Sequence, residues 1–418
     1  MNLPEIIQRP DHIISRSAIS DNALKVLYRL KKAGYESHLV GGGVRDLLLG
    51  KTPKDFDIAT EALPEEVLAL FRNCRLIGRR FRLAHVRFGR EIIEVATFRA
   101  SPKASEEQHQ IHESGRILRD NVYGSVEDDA WRRDFTINAL YYNIRDFSVT
   151  DYVDGMRDIT AQTLRLIGDP SVRFREDPVR MLRAVRFMNK LDFSIHPETE
   201  EALINAIELL RDIPPARLFD EVLKLFHSGH AVKNFDLLQH YGLLGILFPQ
   251  VITCQDPEKM TFIRLALKNT DRRIQQGKPV NPSFLFTILL WKTIREKTNK
   301  LTEQSSYDAL QQALSETISS QVQQISLPKR YSIQIREICT LQRTLEKRSK
   351  RPLKLLDHPR FRAAYDLLLL RCTNGEVESE IGHWWTELQQ QDEHQKNIMV
   401  KALKQPNSRK KNRGLLEK

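Results

Sequence analysis

The chain has 418 residues, of which 41% are hydrophobic, so it is long enough for about two to four folded domains. Its formal net charge is +11, which favours a polyanionic partner such as a nucleic acid. No apolar run approaches the ~18 residues that a membrane span needs, and residues 1–12 lack the apolar core of a signal peptide, so we expect no membrane insertion.

The first motif is a strand, a glycine turn and a short helix. Residues 37–40 are predicted to form a strand and residues 44–49 a helix of one or two turns. The three glycines between them can adopt backbone angles that other residues avoid, so successive N–H groups can face one anion. A helix N-terminus at this point adds to that effect, and the pattern predicts a phosphate site that includes Gly42 and Gly43.

A pair of carboxylates follows the glycine turn. Residues 55–58 alternate polar and apolar, so they are predicted to form a half-buried strand with Asp55 and Asp57 on one face. Their Cα atoms would lie ~7 Å apart, a separation that lets two carboxylates hold divalent ions for phosphoryl-type transfer. The alternative is a solvated strand edge. Residues 91–99 predict another strand, and Glu94 joins this site only if the two strands are neighbours.

Residues 72–90 form a strongly basic segment. They contain seven arginines and no acid, whereas a solvated surface normally mixes both signs. The pattern predicts a groove for a triphosphate or for RNA backbone, with Arg79, Arg80 and Arg82 as candidate RNA-binding residues. The alternative is a basic hairpin that binds no ligand.

Two further acids precede predicted helices. Asp134 can cap the helix that follows it, and Asp177 stands directly before Pro178 in the arrangement of a helix start. On the second of these helices Arg180 and Arg183 lie on the side opposite the apolar residues, and few acids are spaced to neutralise them. This side is therefore predicted to contact phosphate or a base.

The motifs GGGVRDLLLG and DFDIAT resemble the head of the class II nucleotidyltransferases, the group of bacterial poly(A) polymerases and CCA-adding enzymes. The likeness extends from about residue 11 to about residue 385, and the basic stretch at 74–90 resembles the poly(A) polymerase branch. Further segments follow in the order of that family, at 74–99, 119–143, 167–187 and 213–226.

The resemblance implies roles for residues that match the family's motifs. Asp134 would be a third catalytic carboxylate, and Arg133 before it would face the nucleotide. A carboxylate and a guanidinium in an EDxxR motif would read the Watson–Crick edge of the incoming base. That motif here consists of Glu176, Asp177 and Arg180, while Arg45 would join Gly42 and Gly43 on the triphosphate.

The implied fold class is α+β, with a small polymerase-β-like head of sheet and helices before a mostly α-helical neck, body and C-terminal region. The predicted domains are a nucleotidyltransferase head at 1–168 and a helical neck for base reading and RNA binding at 169–250. A helical RNA-binding region at 251–390 and a basic flexible tail at 391–418 complete the chain. The four cysteines are far apart and form no CxxC pair, which disfavours zinc and indicates reduced thiols.

The predicted function is template-independent polyadenylation of RNA 3′ ends, by transfer of AMP from ATP with release of pyrophosphate. The expected cofactors are two Mg²⁺ ions, with Mn²⁺ as a substitute, and the expected partners are mRNA, small RNAs and decay intermediates. RNA chaperones and RNA-decay enzymes are candidate protein partners of a cytoplasmic monomer. A CCA-adding enzyme, an RNA-binding protein with an inactive head, and a small-molecule adenylyltransferase remain alternatives.

Overall fold

The computed structural model describes residues 3–78, 82–100, 110–111, 117–119, 122–252, 257–348 and 351–403. The chain divides into two compact units, Met1–Asp212 and Ile213–Lys418. Every strand of the described residues belongs to the first unit, and the second is helical. The predicted α+β class, with a sheet-containing head before a mostly helical remainder, is confirmed. The finer division at 168, 250 and 390 stays a prediction.

The first unit is organised around an eight-stranded mixed sheet with the strand order β1-β10-β9-β2-β3-β6-β5-β4. Strands β3 and β6 pair in parallel, and the other neighbours in this sheet are antiparallel. Two small sheets, β7-β8 and β11-β12, complete the set in the described part of the chain. The strands are β1 Glu5–Ile7, β2 Ser37–Val40, β3 Asp57–Thr60, β4 Cys74–Ile77, β5 Leu83–Phe88, β6 Glu91–Thr97, β7 Gln110–Ile111, β8 Ile117–Arg119, β9 Leu140–Asn143, β10 Val149–Asp151, β11 Thr163–Leu164 and β12 Ser194–Ile195.

The helices of the first unit follow the local signals of their sequences. Ser20, for example, caps the first helix by accepting a 3.1 Å hydrogen bond from the N–H of Ala23, and the apolar side of that helix is buried. The helices are α1 Asp21–Lys32, α2 Gly42–Leu48, α3 Pro64–Leu70, α4 Val126–Trp131, α5 Gly155–Thr160, α6 Pro170–Glu176, α7 Val179–Leu191 and α8 Pro197–Ala206. Short 3₁₀ helices lie at Arg9–Asp11, Arg16–Ala18, Thr136–Asn138 and Ile207–Asp212.

The predicted starts of β3 and α7 are wrong. Strand β3 begins at Asp57, and Asp55 lies in the connection before it because the backbone there turns against α2. A Cβ on Gly43 would lie only 3.4 Å from the carbonyl oxygen of Asp55. Helix α7 begins at Val179, although Asp177 still accepts a 3.3 Å hydrogen bond from the N–H of that residue.

The second unit packs its helices around large buried side chains such as Trp291 and Trp385. The indole N–H of Trp385 donates a 2.9 Å hydrogen bond to the carbonyl oxygen of Leu345, which satisfies its buried polar group. Among the described residues, no helix is long and apolar enough to cross a membrane. The helices are α9 Pro215–Phe226, α10 Ala231–His240, α11 Leu243–Leu247, α12 Pro249–Ile252, α13 Pro257–Gln275, α14 Pro282–Lys300, α15 Ser306–Gln324, α16 Lys329–Lys347, α17 Pro352–Leu356, α18 Phe361–Thr373, α19 Ser379–Gln390 and α20 Glu393–Ala402.

Helix α20 corrects the prediction of an irregular tail from residue 391. Asp392 caps this helix by accepting a 2.8 Å hydrogen bond from the N–H of Gln395, and Lys396 pairs with Glu393 within the first turn. These local contacts stabilise a helix whose apolar pattern is weak. The rest of the predicted tail, from residue 404, lies outside the described residues.

The fold predicts an unequal effect of two glycine substitutions. A Cβ on Gly155 would lie 3.1 Å from the carbonyl carbon of Thr136, so Gly155→Ala should lower the free energy of unfolding by about 1–3 kcal/mol. Gly245→Ala in α11 is the control, because its Cβ would meet only the terminal methyl of Ile252, at 3.3 Å, and alanine favours a helix. Urea unfolding checks both variants. Equal unfolding midpoints for Gly155→Ala and Gly245→Ala would contradict the close packing of Gly155 against Thr136.

Candidate active site

The glycine turn brings backbone against two charged side chains. Gly41 lies between β2 and α2 at a φ of +71°, where glycine is favoured. A Cβ at this position would lie 3.4 Å from Nη1 of Arg133 and 3.9 Å from Oδ2 of Asp57. The predicted strand is confirmed, and the predicted helix is present but begins two residues earlier, at Gly42. Gly42 and Gly43 form the first turn of α2, and their binding of phosphate stays a prediction.

Three carboxylates lie together at one point of the sheet. Asp57 is the first residue of β3 and pairs in register with Glu94 of β6, and Asp55 is exposed just before it. The pKa of Asp57 is raised to about 6, mainly by burial and then by the charges of Glu94 and Asp55, against the opposing effect of Arg133. The parallel pairing of β3 with β6 is what places Glu94 beside Asp57.

The acids near Asp57 do not form a closed metal cage. Within the described ranges, no group of three or more His, Cys, Asp or Glu side chains has an arrangement that could hold a metal ion. His85 lies across the sheet, with its Nε2 atom 3.2 Å from Oε1 of Glu94. Mg²⁺ often takes only one or two carboxylates and completes its shell with phosphate oxygens and water. The Asp55 and Asp57 pair fits that mode of binding.

Arg45 is buried and its donors point into the protein. Its Nε and Nη2 atoms donate to Oδ1 of Asp46 at 2.9 and 2.6 Å, and its Nη1 donates to Oδ1 of Asn138 at 2.5 Å. The guanidinium also lies 5.2 Å from the ring centre of Phe187. These contacts tie α2 to Asn138, and the binding of the triphosphate by Arg45 stays a prediction.

Asp134 is bound on both of its carboxylate oxygens. Oδ2 accepts from Nε of Arg183 at 2.6 Å, while Oδ1 accepts from the N–H of Phe135 at 2.8 Å and from Nδ2 of Asn138 at 3.2 Å. Burial raises the pKa of Asp134, but Arg183, Asn138 and the backbone N–H outweigh burial and lower it to about 2. Asp134 is therefore ionised and orients Arg183, and its role as a third catalytic carboxylate stays a prediction.

Arg133 lies next to the glycine turn, and hydrogen bonds to Asp129 and Tyr141 hold its guanidinium in place. Its Nη2 atom donates to Oδ2 of Asp129 at 2.9 Å, and its Nε atom donates to the hydroxyl of Tyr141 at 2.8 Å. Burial lowers the pKa of Arg133, but Tyr141 and Asp129 outweigh burial, so the net pKa is raised. The guanidinium stays charged beside Gly41 and Asp57.

The predicted base-reading motif folds at the junction of α6 and α7. Glu176 accepts from Nη1 of Arg173 at 2.7 Å and from Nη1 of Arg180 at 3.1 Å. Arg180 also donates to the carbonyl oxygen of Arg173 at 2.5 Å. Asp177 is the C-cap of α6. Glu176 and Arg180 thus contact each other directly, and Asp177 follows Glu176 in the chain.

Several arginines lie close together next to this motif. Arg173 donates through Nη2 to the carbonyl oxygen of Arg132 at 2.5 Å and also to that of Arg133, which ties α6 to the RRD segment. The pKa of Arg132 is lowered to about 9, mainly by burial and then by the charges of Arg99, Arg173 and Arg180. Such a concentration of guanidinium groups favours a bound anion.

Only part of the predicted RNA-binding segment can be described. Arg79 and Arg80 lie outside the described residues. Arg82 is exposed at the start of the hairpin and forms an ion pair with Glu65 of α3, an acid that lies before the basic segment in the sequence. Its contact with RNA stays a prediction.

Sequence reasoning missed the residues that connect the motifs. Asn138 bridges Arg45 and Asp134, and the ring of Phe187 lies within about 5 Å of the guanidiniums of Arg45, Arg183 and Arg186. A signal for Asn138 exists, since it is a polar residue in the apolar run FTINAL. A buried phenylalanine carries no comparable signal.

Three family descriptions match the chain. Poly A polymerase head domain matches residues 37–165, and Polymerase A arginine-rich C-terminus matches residues 302–416. Probable RNA and SrmB- binding site of polymerase A matches residues 192–254.

The chain is 51% identical over 398 residues to poly(A) polymerase I of Salmonella typhi, and the match covers 92% of this chain and 85% of that relative. The chain belongs to the poly(A) polymerase I family. A CCA-adding enzyme of Lactobacillus gasseri is 38% identical over 221 residues, which are 53% of this chain and 54% of that enzyme. A solved tRNA nucleotidyltransferase, complexed with a primer tRNA and an incoming ATP analogue, matches with a TM-score of 0.60 and 25% identity, over 87% of this chain and 98% of that chain. The resemblance to the poly(A) polymerase branch is confirmed.

The raised pKa of Asp57 predicts that Asp57→Asn stabilises the fold. The folded protein holds this proton more tightly than the unfolded chain, so the resulting stabilisation is lost as the pH rises from about 4 to about 6. At neutral pH the substitution should raise the free energy of unfolding by on the order of 1–2 kcal/mol. The gain should vanish in acid. Thermal unfolding across this pH range checks it. Asp55→Asn removes only one of the two neighbouring charges and should give a smaller gain, and a destabilised Asp57→Asn protein would contradict the electrostatics.

Proposed function

We propose that this chain extends RNA 3′ ends without a template, by transferring AMP from ATP and releasing pyrophosphate. The observation that carries the proposal is the cluster of Asp55, Asp57 and Glu94 beside the Gly41 turn, in a member of the poly(A) polymerase I family. The sequence match to the CCA-adding enzyme of Lactobacillus gasseri covers only 53% of the chain, against 92% for poly(A) polymerase I of Salmonella typhi, which favours polyadenylation over CCA addition.

Asp55 and Asp57 would hold two divalent cations, with Mg²⁺ as the first candidate and Mn²⁺ as a substitute. Burial and two neighbouring acids make the ionised form of Asp57 costly, and a bound cation would remove that cost. When bound, such ions supply Lewis-acid stabilisation of phosphate oxygens and lower the pKa of an attacking hydroxyl. The exposed Asp55 carboxylate is open to solvent and to a ligand.

The phosphates of ATP would contact groups that belong to the chain. The N–H groups of Gly42 and Gly43 provide donors at the start of α2. Arg133 adds a charged guanidinium held by Asp129 next to the turn, and the cluster around Arg132 adds further positive charge. These groups would neutralise the triphosphate and leave the carboxylates free for the cations.

Base reading would use Glu176, Asp177 and Arg180. A carboxylate accepts a hydrogen bond from the exocyclic amine of adenine, and a guanidinium donates to a ring nitrogen. Their fixed contacts with Arg173 and with the backbone present these groups without prior rearrangement. Arg183, oriented by Asp134, would contact the sugar or phosphate of the same nucleotide.

The protein would work as a monomer on the 3′ ends of mRNA, small RNAs and decay intermediates. The chain's positive charge and its match to an RNA-binding family description support an RNA substrate. RNA chaperones and decay enzymes are the protein partners that fit such a substrate. The unpaired thiols of Cys74, Cys339 and Cys372 support a reducing cytoplasm.

The function is tested with two labelled RNAs, an unstructured oligomer and a tRNA that lacks its CCA end, each with Mg²⁺ and either ATP or CTP. We expect a long ladder on the oligomer with ATP and little incorporation of CTP. Asp57→Asn should abolish the ladder and leave RNA affinity within a few-fold of the wild-type value. Addition of only C, C and A to the tRNA would instead identify a CCA-adding enzyme, and no incorporation would favour an RNA-binding protein.

Arg180→Ala tests the base-reading proposal. Loss of one charge-assisted hydrogen bond should reduce the preference for ATP over CTP by about tenfold, with little effect on RNA affinity. Arg175→Ala is the matched control, since Arg175 is exposed on α6, three residues before Pro178. The ratio of kcat/KM values for the two nucleotides measures selectivity. If both variants keep the wild-type ratio, Arg180 does not read the base.

A further inference from the structure

The second unit contains a cavity of about 460 Å³ between α13, α14, the start of α18 and the turn after α9. This volume falls within the range of small-molecule sites. All of its lining residues belong to the second unit, so the cavity shares none with the carboxylate site of the first. Its apolar lining includes Phe284, Leu285, Val280 and Leu369.

Hydrogen bonds from α13 fix the walls of this cavity. Asp271 accepts from the N–H groups of Ala231 and Val232 at 2.7 and 3.2 Å, which holds the start of α10 and the turn before it against α13. Arg273 donates through Nη2 to the carbonyl oxygen of Pro279 at 2.9 Å, which fixes the connection to α14. The cavity is therefore part of the folded unit.

Several polar groups in the lining have no bonding partner. Nε2 of His227 is buried without a hydrogen bond, and burial lowers the pKa of His227 to about 4, so its imidazole is neutral and can donate or accept. Within the described ranges, the side chains of Asn269, Arg272 and Gln276 also make no hydrogen bond or ion pair. An imidazole and an amide can together pair with the polar edge of a base.

Four arginines line the cavity, and two of them pair with acids. Arg272 is exposed on α13, and Arg273 lies beside it. Arg360 donates to Glu337 at 3.1 Å, and Arg362 pairs with Asp366 at 3.0 Å, so these two arginines are neutralised. Arg272 thus retains an uncompensated charge at a cavity that is apolar inside, a combination suited to a phosphate joined to a flat hydrophobic group.

We propose that this cavity binds one purine nucleotide unit, with its base against Phe284 and hydrogen-bonded by His227 and Asn269, and its phosphate on Arg272. The volume admits a bicyclic base with its ribose phosphate, and aromatic contact is a general means of holding such a base. The same chemistry can come from a free nucleotide or from one nucleotide of an RNA chain. This site is additional to the proposed function.

The test is photocrosslinking of the full chain, followed by mapping of the crosslinked peptides. One arm uses 8-azidoadenosine monophosphate, and the other uses oligoadenylate with a single internal 8-azidoadenosine. We expect crosslinks to the segments around His227 or Phe284 in at least one arm, competed better by AMP than by CMP. Crosslinks in the first arm alone identify a free nucleotide, and crosslinks in the second arm alone identify RNA. Their absence from both arms would overturn the proposal.

Charge reversal separates the cavity from general attraction of RNA. Arg272→Glu should reduce the crosslink about tenfold, since it removes a charge-assisted phosphate contact. Lys268→Glu makes the same charge change on an exposed residue of α13 outside the cavity, so it should change the crosslink less than about twofold. Equal losses in the two variants would contradict a specific site.

A second variant guards against misfolding. His227→Phe keeps the size of a ring and removes its hydrogen-bonding atoms, so it should weaken the crosslink while the melting temperature stays near that of the wild type. Asp57→Asn should abolish AMP incorporation and keep the crosslink in the second unit. Failure of the cavity proposal and failure of the proposed function therefore give different results.

Discussion

The first unit depends on a partly buried network of guanidinium groups and acceptors that joins three distant parts of the chain. Arg45 of α2 binds Asn138, Asn138 binds Asp134, and Asp134 binds Arg183 of α7. Arg183, Asn138 and a backbone N–H lower the pKa of Asp134 to about 2, which agrees with these contacts. Removal of either partner would leave the charge of the other without compensation and destabilise the fold. The glycine turn, the RRD segment and the start of α7 are therefore held in a fixed relation.

This network makes the site ready for a charged ligand before the ligand arrives. Electrostatic stabilisation of a reaction is largest when the dipoles and charges are oriented in advance. Asp129 orients Arg133, and Asp134 orients Arg183. Neither guanidinium therefore has to reorient when a ligand binds. The repulsion among the acids around Asp57 is the opposite kind of feature, since it destabilises the fold and is relieved only by a proton or a cation. Such a loss of stability is common where a site needs charged groups close together to bind a ligand.

Local signals predicted local structure well. The capped helix α1 and the strand β2 follow from spacing and capping residues alone. The start of β3 was predicted two residues early because the close approach of Gly43 to Asp55 is a tertiary contact. The sequence could not predict that Asp57 pairs with Glu94, because the residues of a strand do not determine which strand lies next to it in the sheet. The contact of Arg45 with Asn138 could not be predicted either, because the two residues are 93 positions apart in the sequence.

The second unit illustrates a different limit of sequence reasoning. Its helices are predictable from their periodicity, but the cavity beside α13 depends on how a turn, a linker and two helices meet. Neither His227 nor Asn269 stands in a recognisable motif. They become candidate ligand-binding residues only because the fold places both in the lining of one cavity, without hydrogen-bond partners among the described residues.

The central claim is that the Asp57 cluster is a divalent-cation site that serves ATP. Its most direct test is the equilibrium affinity for a non-hydrolysable ATP analogue, measured with and without Mg²⁺, in the wild type and in Asp57→Asn. We predict that Mg²⁺ tightens binding to the wild type by about tenfold or more and has little effect on the variant. An equal effect of Mg²⁺ on both proteins would contradict the assignment of the cations to Asp57.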